Sequence, residues 1–246
     1  MLLYAITSRI LLAQSEAERT EKLVSLAADW AAGGVNFIQI RESDLSPCDL
    51  SRLAGSVVRA VRQRSNSTEV LINASPEFAT AIALDSGADG VHLHGGLNPG
   101  RLAAAIAQIR KAWSENSGQI RQSSGAPPIS VSCHSLADVL EARAAGATLA
   151  LFAPVFEKAL PGAQALTGQG LEALAEACRA ARKPAQDPPL PVLALGGIKL
   201  ENAAQCVAAG AAGIAAIRLF MNEDHDPAQD WRQLSRRPGA SLSKSK

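Results

Sequence analysis

The stretch 191-PVLALGGIKLENAAQCVAAGAAGIAAIR-218 decides the fold of this chain. It holds two short apolar runs, Val192 to Leu195 and Gly213 to Ile217, with a helix-like segment from Leu200 to Ala209 between them. Neither run alternates polar with apolar residues, the pattern of a strand buried on both faces in a parallel sheet. The first run ends in Gly196-Gly197 and the second at Arg218. Glycines directly after a strand let main-chain N–H groups approach a ligand with no side chain in the way. Two consecutive strands that finish so match the phosphate grip after strands seven and eight of a (β/α)8 barrel. Gly196, Gly197, Ile217 and Arg218 are read as phosphate-binding, the alternative being a plain turn that uses glycine for geometry alone.

Working outward, the same helix–glycine–strand passage recurs at AGGVNFIQI, SGADGVHLH, AGATLALFA and AGAAGIAAI. The aligned glycines Gly33, Gly87, Gly146 and Gly210 stand about sixty residues apart, which is two βα units. Four such repeats make eight strands alternating with helices, so the fold class is α/β and the architecture a single (β/α)8 TIM barrel. The expected strands are Leu2 to Thr7, Asn36 to Arg41, Glu69 to Asn73, Val91 to His94, Ile129 to His134, Thr148 to Phe152, and the two opening runs. Ser15, Ser46-Pro47 and Ser75-Pro76 read as helix starts. Ser114 to Pro128 is a Ser/Gly/Gln/Pro-rich loop, Asp226 to Arg236 a last helix, and residues 237–246 a disordered tail after a barrel domain spanning 1–236.

The chain of 246 residues is 47% hydrophobic, enough for one sizeable core, and its net charge of +1 with 4% aromatic residues gives no nucleic-acid surface. Cys48, Cys133, Cys178 and Cys206 form no C-x-x-C pair, which fits a reduced cytoplasmic protein without a disulfide framework or structural zinc. The apolar N-terminus is too short for a signal peptide and is interrupted by Arg9, and no run reaches the roughly 20 apolar residues of a membrane helix.

Active sites of this fold lie at the C-terminal rim, where polar strand ends collect. Gln39 and Arg41 lie two apart on one strand and face the same way. A buried Arg calls for a phosphate or carboxylate, with an internal salt bridge to Glu42 or Asp44 as the alternative. His92 and His94 are also two apart; a metal pair is one reading, a core His plus a loop His the favoured one. His134, flanked by Ser132, Cys133 and Ser135, is the candidate proton shuttle, or else a residue at the start of the next helix. Strand alternation turns Cys133 away from it. Lys158 is a candidate phosphate contact or a solvated loop residue.

Taken together, YAIT, FIQIRE, LINA, GADGVHLH, ISVSCHS, APVFE, LALGGI and AGAAGIAAI, in this order from about Leu3 to Pro227, resemble the thiamine phosphate synthase and TenI (thiazole tautomerase) superfamily. The resemblance implies a barrel enzyme of thiamine biosynthesis that binds a phosphorylated thiazole, with Gln39, Arg41, Asn73, Ser132 and Lys158 at the substrate and His134 as acid/base. The synthase branch joins a pyrimidine diphosphate to a thiazole phosphate with magnesium. Several of its motif positions differ here: Ser43, Ala74, Leu97, the run Glu157-Lys158-Ala159-Leu160 and Arg218 stand where it carries Lys, Asp, an acidic residue, a T-x-T-K run and Ser. The tautomerase branch also lacks the acidic ligands and keeps S-x-H-S and V-F-E, here Ser132 to Ser135 and Val155 to Glu157. Isomerisation is therefore the leading expectation, without a metal or other cofactor, and magnesium enters only with synthase activity. A divergent synthase and a non-catalytic ligand binder are the alternatives. No nucleic-acid or membrane partner is expected, and a homo-oligomer is left open.

Overall fold

The computed structural model describes residues 1–96, 99–116, 126–157, 167–182 and 189–221. Eight parallel strands close into a barrel in sequence order: β1 (Leu2–Ile6), β2 (Phe37–Ile40), β3 (Glu69–Asn73), β4 (Gly90–Leu93), β5 (Ile129–Cys133), β6 (Leu149–Phe152), β7 (Val192–Leu195) and β8 (Gly213–Ala216). The seal is the pairing of β1 with β8, Leu2 opposite Gly213 through Ala5 opposite Ala216. Gly213 is needed there, because a Cβ on it would stand 1.9 Å from the Leu2 carbonyl oxygen. Among the described residues seven α-helices follow the first seven strands: α1 (Glu16–Gly33), α2 (Pro47–Arg64), α3 (Pro76–Ser86), α4 (Pro99–Glu115), α5 (Leu136–Ala144), α6 (Gly170–Arg182) and α7 (Leu200–Ala208). The expected last helix and tail, most of the 114–128 loop, and Lys158 lie outside the described residues.

The repeat seen in the sequence holds with one slip of register. Gly87, Gly146 and Gly210 take the left-handed conformation that ends a helix, but in the first repeat it is Gly34 (φ 90°) that does so. Gly33 completes α1 as a helical residue. The strand ends are one residue shorter than expected at Arg41, His94, His134 and Ile217, which places those side chains on the rim. Ser15, Ser46 and Ser135 cap their helices by accepting the N–H of Glu18, Asp49 and Asp138. Ser135→Ala is expected to cost about 1 kcal/mol in a urea titration.

Strand alternation separates two cores. Outward residues such as Ile38, Ile40, Val70, Ile72, Val91, Leu93, Val131 and Cys133 pack under the helices in the main cluster. Inward residues fill the barrel. Tyr4, Ile6, Leu149, Leu151, Leu193 and Ala215 form its apolar part, on β1 and β6–β8. The inward residues of β2–β5 include Gln39, Asn73, His92, Ser130 and Ser132, so this half of the interior is polar.

Candidate active site

The polar half of the barrel is one hydrogen-bonded chain. Asn73 Nδ2 donates to Gln39 Oε1 (3.0 Å), and Gln39 Nε2 donates to the Tyr4 hydroxyl (2.9 Å). Tyr4 bonds Ser130 Oγ (2.9 Å), Ser130 bonds His92 Nδ1 (2.8 Å), and His92 Nε2 bonds Ser132 Oγ (2.9 Å). Burial drives the His92 pKa down to about 3, helped by His94 and Arg41, so the ring is neutral. Burial raises the Tyr4 pKa, so its hydroxyl keeps its hydrogen. Gln39, expected at the ligand, has both amide groups engaged inside the barrel; it positions Asn73, which reaches the mouth.

At the rim over β2–β4 lies a cavity of about 260 Å³ lined by Arg41, Ser43, Asn73 and His94, with an apolar wall that includes Leu45, Phe78 and Ile82. Arg41 is exposed, not buried as expected, because β2 ends before it. Nor does it pair with its neighbours in sequence. Glu42 and Asp44 both turn to Arg9, whose Nη1 stands 3.4 Å from Glu42 and 2.9 Å from Asp44, and Arg9 also bridges Glu16 at 3.0 Å. The Arg9 main-chain N–H donates to Glu42 as well. This cluster clamps the β1 and β2 loops together and leaves the Arg41 guanidinium without a salt bridge among the described residues. His94 is exposed, and its pKa is lowered by burial and by Arg41.

A magnesium ion, as the resemblance implies for the synthase branch, does not fit this rim. It takes oxygen ligands, usually one or two carboxylates. Among the described residues no group of three His, Cys, Asp or Glu converges, and the nearby carboxylates belong to Arg9. Ser43 and Ala74 line the cavity where acids or their partners would be needed. His92 and His94 do not form a metal pair: His92 is held between two serines inside the barrel and His94 is on the rim.

Next along the mouth, after β5, His134 is exposed, its ring lies beside Gly95 and its Nδ1 lies 2.9 Å from the Ala153 carbonyl oxygen. A carbonyl only accepts, so Nδ1 carries a hydrogen, and in the neutral ring the lone pair is on Nε2. The same carbonyl accepts Gln169 Nε2 (2.9 Å). His134 N–H donates to Asp138 (2.7 Å), which anchors the residue to the first turn of α5, as the reading at the start of the next helix expects. Cys133 is buried with a pKa pushed up to about 12 by burial, which removes it as a nucleophile.

From Ala153 the chain runs to the β7 turn, where Val155 N–H donates to Leu195 O and Phe156 N–H to Gly196 O. Gly196 (φ 96°) and Gly197 (φ 65°) are both left-handed, and a Cβ on either would stand 2.7 Å from Pro154 or Phe156. Geometry alone therefore demands both glycines. Their own N–H groups take no partner among the described residues, so the turn also offers donors to an anion. Ile217 stands half-buried and Arg218 exposed after β8, the neighbouring strand. His134 and Gly197 thus share one side of the mouth, linked through residues 153–156.

Sequence reasoning missed Tyr4, Thr7, Arg9 and Ser130. Tyr4 and Ser130 had a usable signal, since alternation from Ile6 and from Ser132 turns both inward. Thr7, whose hydroxyl accepts the Arg41 N–H (2.9 Å), and Arg9 had none, because the partners that tie them to the β2 loop, Arg41, Glu42 and Asp44, lie more than thirty residues away.

Comparisons with known proteins agree with this barrel. The chain is 32% identical over 209 residues to a thiamine-phosphate synthase of Corynebacterium jeikeium, covering 85% of each chain. It is 34% identical over 216 residues to a putative thiamine-phosphate synthase of Geobacter sulfurreducens, covering 86% of this chain and 85% of the relative. A solved thiamine phosphate pyrophosphorylase from Pyrococcus furiosus superposes with a TM-score of 0.66 over 95% of this chain and 94% of its own, at 23% identity, a likeness of fold. Residues 3–220 match the family described as thiamine monophosphate synthase, and with relatives above 30% identity over most of both chains, the protein belongs to that family.

Proposed function

We propose that the protein is a thiamine-pathway transferase that joins an activated pyrimidine to a thiazole phosphate. The carrying observation is the 32–34% identity, over some 85% of both chains, to relatives named thiamine-phosphate synthase or putatively so. In this reading the thiazole phosphate rests on the N–H groups of Gly196 and Gly197. The thiazole nitrogen donates its lone pair to the pyrimidine methylene carbon as the carbon–oxygen bond to diphosphate breaks, and the electron pair leaves with diphosphate. The cavity of Arg41, Asn73 and His94 receives that leaving group, and Arg41 supplies the positive charge. No step runs through a metal. A coupling assay with pyrimidine diphosphate and thiazole phosphate, with and without magnesium, tests it. Product formation that persists in EDTA is expected, and no product in either condition rejects the reading.

A second reading, thiazole isomerisation, is favoured by the Nδ1 anchor of His134 on the Ala153 carbonyl, which leaves Nε2 to face a ligand, and by the lack of converging carboxylates among the described residues. Nε2 would take a proton from the bound ring and return it at another atom. The same cavity would then hold a substrate carboxylate on Arg41. His134→Gln loses aromatisation if this reading holds and leaves coupling within a few-fold if the first one does. Isothermal titration with thiazole phosphate, thiazole carboxylate phosphate and pyrimidine diphosphate separates both from a protein that binds without turnover.

A further inference from the structure

We infer that His92 is a positioning residue that sets whether Ser132 donates or accepts a hydrogen bond at the mouth, and that Asn73, its register partner on the neighbouring strand β3, dictates its choice through Tyr4. The argument is a count of hydrogens along a buried chain. Gln39 donates to the Tyr4 oxygen, so the one hydroxyl hydrogen of Tyr4 goes to Ser130. Ser130 then gives its own hydrogen to His92 Nδ1, and the neutral ring carries its hydrogen on Nε2 and donates it to Ser132. Every bond from Asn73 to Ser132 points the same way, and the Ser132 hydrogen is left over for the mouth, where Ser132 is half-buried. Turning the two amides over and rotating the three hydroxyls reverses all five bonds. Asn73 then shows its N–H groups to the cavity, the His92 hydrogen moves to Nδ1, and Ser132 offers only lone pairs.

Mixed states are disfavoured, because a break in direction either puts two donors or two acceptors face to face or, at a hydroxyl that accepts from both sides, leaves its hydrogen without an acceptor in a buried space. Tyr4 is fully buried, and Gln39, His92 and Ser130 are 1%, 2% and 0% exposed, so the middle of the chain is shielded from bulk solvent. The groups facing His92 are Ser130, Ser132, Asn73 on the neighbouring strand, His94 (ring centres 6.2 Å apart) and Arg41, with no carboxylate among them, and the Tyr4→Phe background separates a direct effect of position 73 from one carried along the chain. An anion that draws the Asn73 N–H groups into the Arg41 cavity thus changes what Ser132 presents to a second ligand. The coupling is electrostatic bookkeeping of hydrogens and needs no movement of the backbone. It holds whichever reaction the site performs.

The test is the tautomer of His92, read from imidazole nitrogen shifts of histidine-labelled protein at pH 8, with the signal assigned by its loss in His92→Asn. The parent protein is expected to show the Nε2–H form. Asn73→Asp places an acceptor-only group at the head of the chain, Gln39 must turn over to donate to it, and the Nδ1–H form is expected by roughly tenfold or more. Tyr4→Phe cuts the chain, so Tyr4→Phe and the Tyr4→Phe/Asn73→Asp double variant are expected to share one tautomer ratio. A merely structural histidine would not follow position 73. The inference is overturned by an Nδ1–H form in the parent protein, which requires no variant to fold. It is equally overturned by an unchanged tautomer in Asn73→Asp, or by a double variant that responds as Asn73→Asp does.

Discussion

Arg41→Ala is expected to lower kcat/KM for coupling by about 10²–10³-fold, with the loss mainly in kcat. The cavity over β2–β4 offers a leaving diphosphate one guanidinium, the Asn73 amide and an imidazole whose pKa is depressed by burial and by Arg41 itself. Charge that develops on the departing oxygen therefore meets Arg41 before any other cation among the described residues. Removing a group aimed at developing charge raises the barrier by about 3–4 kcal/mol in comparable sites. The fold should not notice. Arg41 is exposed and holds no carboxylate among the described residues, so stability is expected to stay within about 0.5 kcal/mol in urea. Arg41→Lys keeps the charge but not the planar fork and should recover only part of the rate. Steady-state kinetics on the three proteins checks this. A parent-like kcat in Arg41→Ala would move the leaving group out of this cavity. If the carrying reaction is isomerisation, the same substitution raises KM for the carboxylate substrate and leaves kcat nearly intact.

The second large effect is loss of stability in acid. In the folded protein the His92 pKa is about 3; in the unfolded chain it returns to about 6.5. Between these values the unfolded chain binds more protons, so stability falls as pH drops from about 6.5 toward about 3. The slope approaches about 1.4 kcal/mol per pH unit, which makes the loss by pH 4.5 on the order of a few kcal/mol. Other groups overlap at the acid end. Asp44, held low by Arg9, adds to the loss below its unfolded pKa, whereas Glu42 and Glu69, raised by burial, act in the opposite sense above theirs. Urea titrations of the parent and of His92→Asn at pH 7, 5.5 and 4.5 isolate the histidine. The variant should lose less stability over that range, by roughly the amounts above. Equal pH dependence in the two would mean that His92 is not held neutral by its surroundings.

Clamping by Arg9 explains why Arg41 is available for either role. Glu42 is buried and Asp44 exposed, yet both carboxylates face the β1 loop and not their neighbour in sequence. Had they paired with Arg41, the rim cavity would have carried no net charge to offer an anion. The same clamp removes them as magnesium ligands, so the one arrangement decides both what the rim binds and what it does not.

The sequence by itself determined the barrel, its eight strands and the face each strand residue takes. Those follow from local periodicities: apolar runs too short for helices, glycines that end helices, and a side-chain alternation of two along each strand. It also determined which residue types collect at the rim, since strand ends are legible from the same pattern. Only the tertiary structure decided partnership. That Arg9 takes Glu42 and Asp44, that Tyr4 joins Gln39 to Ser130 across 126 residues, and that His134 bonds Ala153 depends on the closure and register of the sheet. Hydrogen bonds and ion pairs act over a few ångströms, and a one-dimensional pattern carries no information about which distant strand end arrives within that reach.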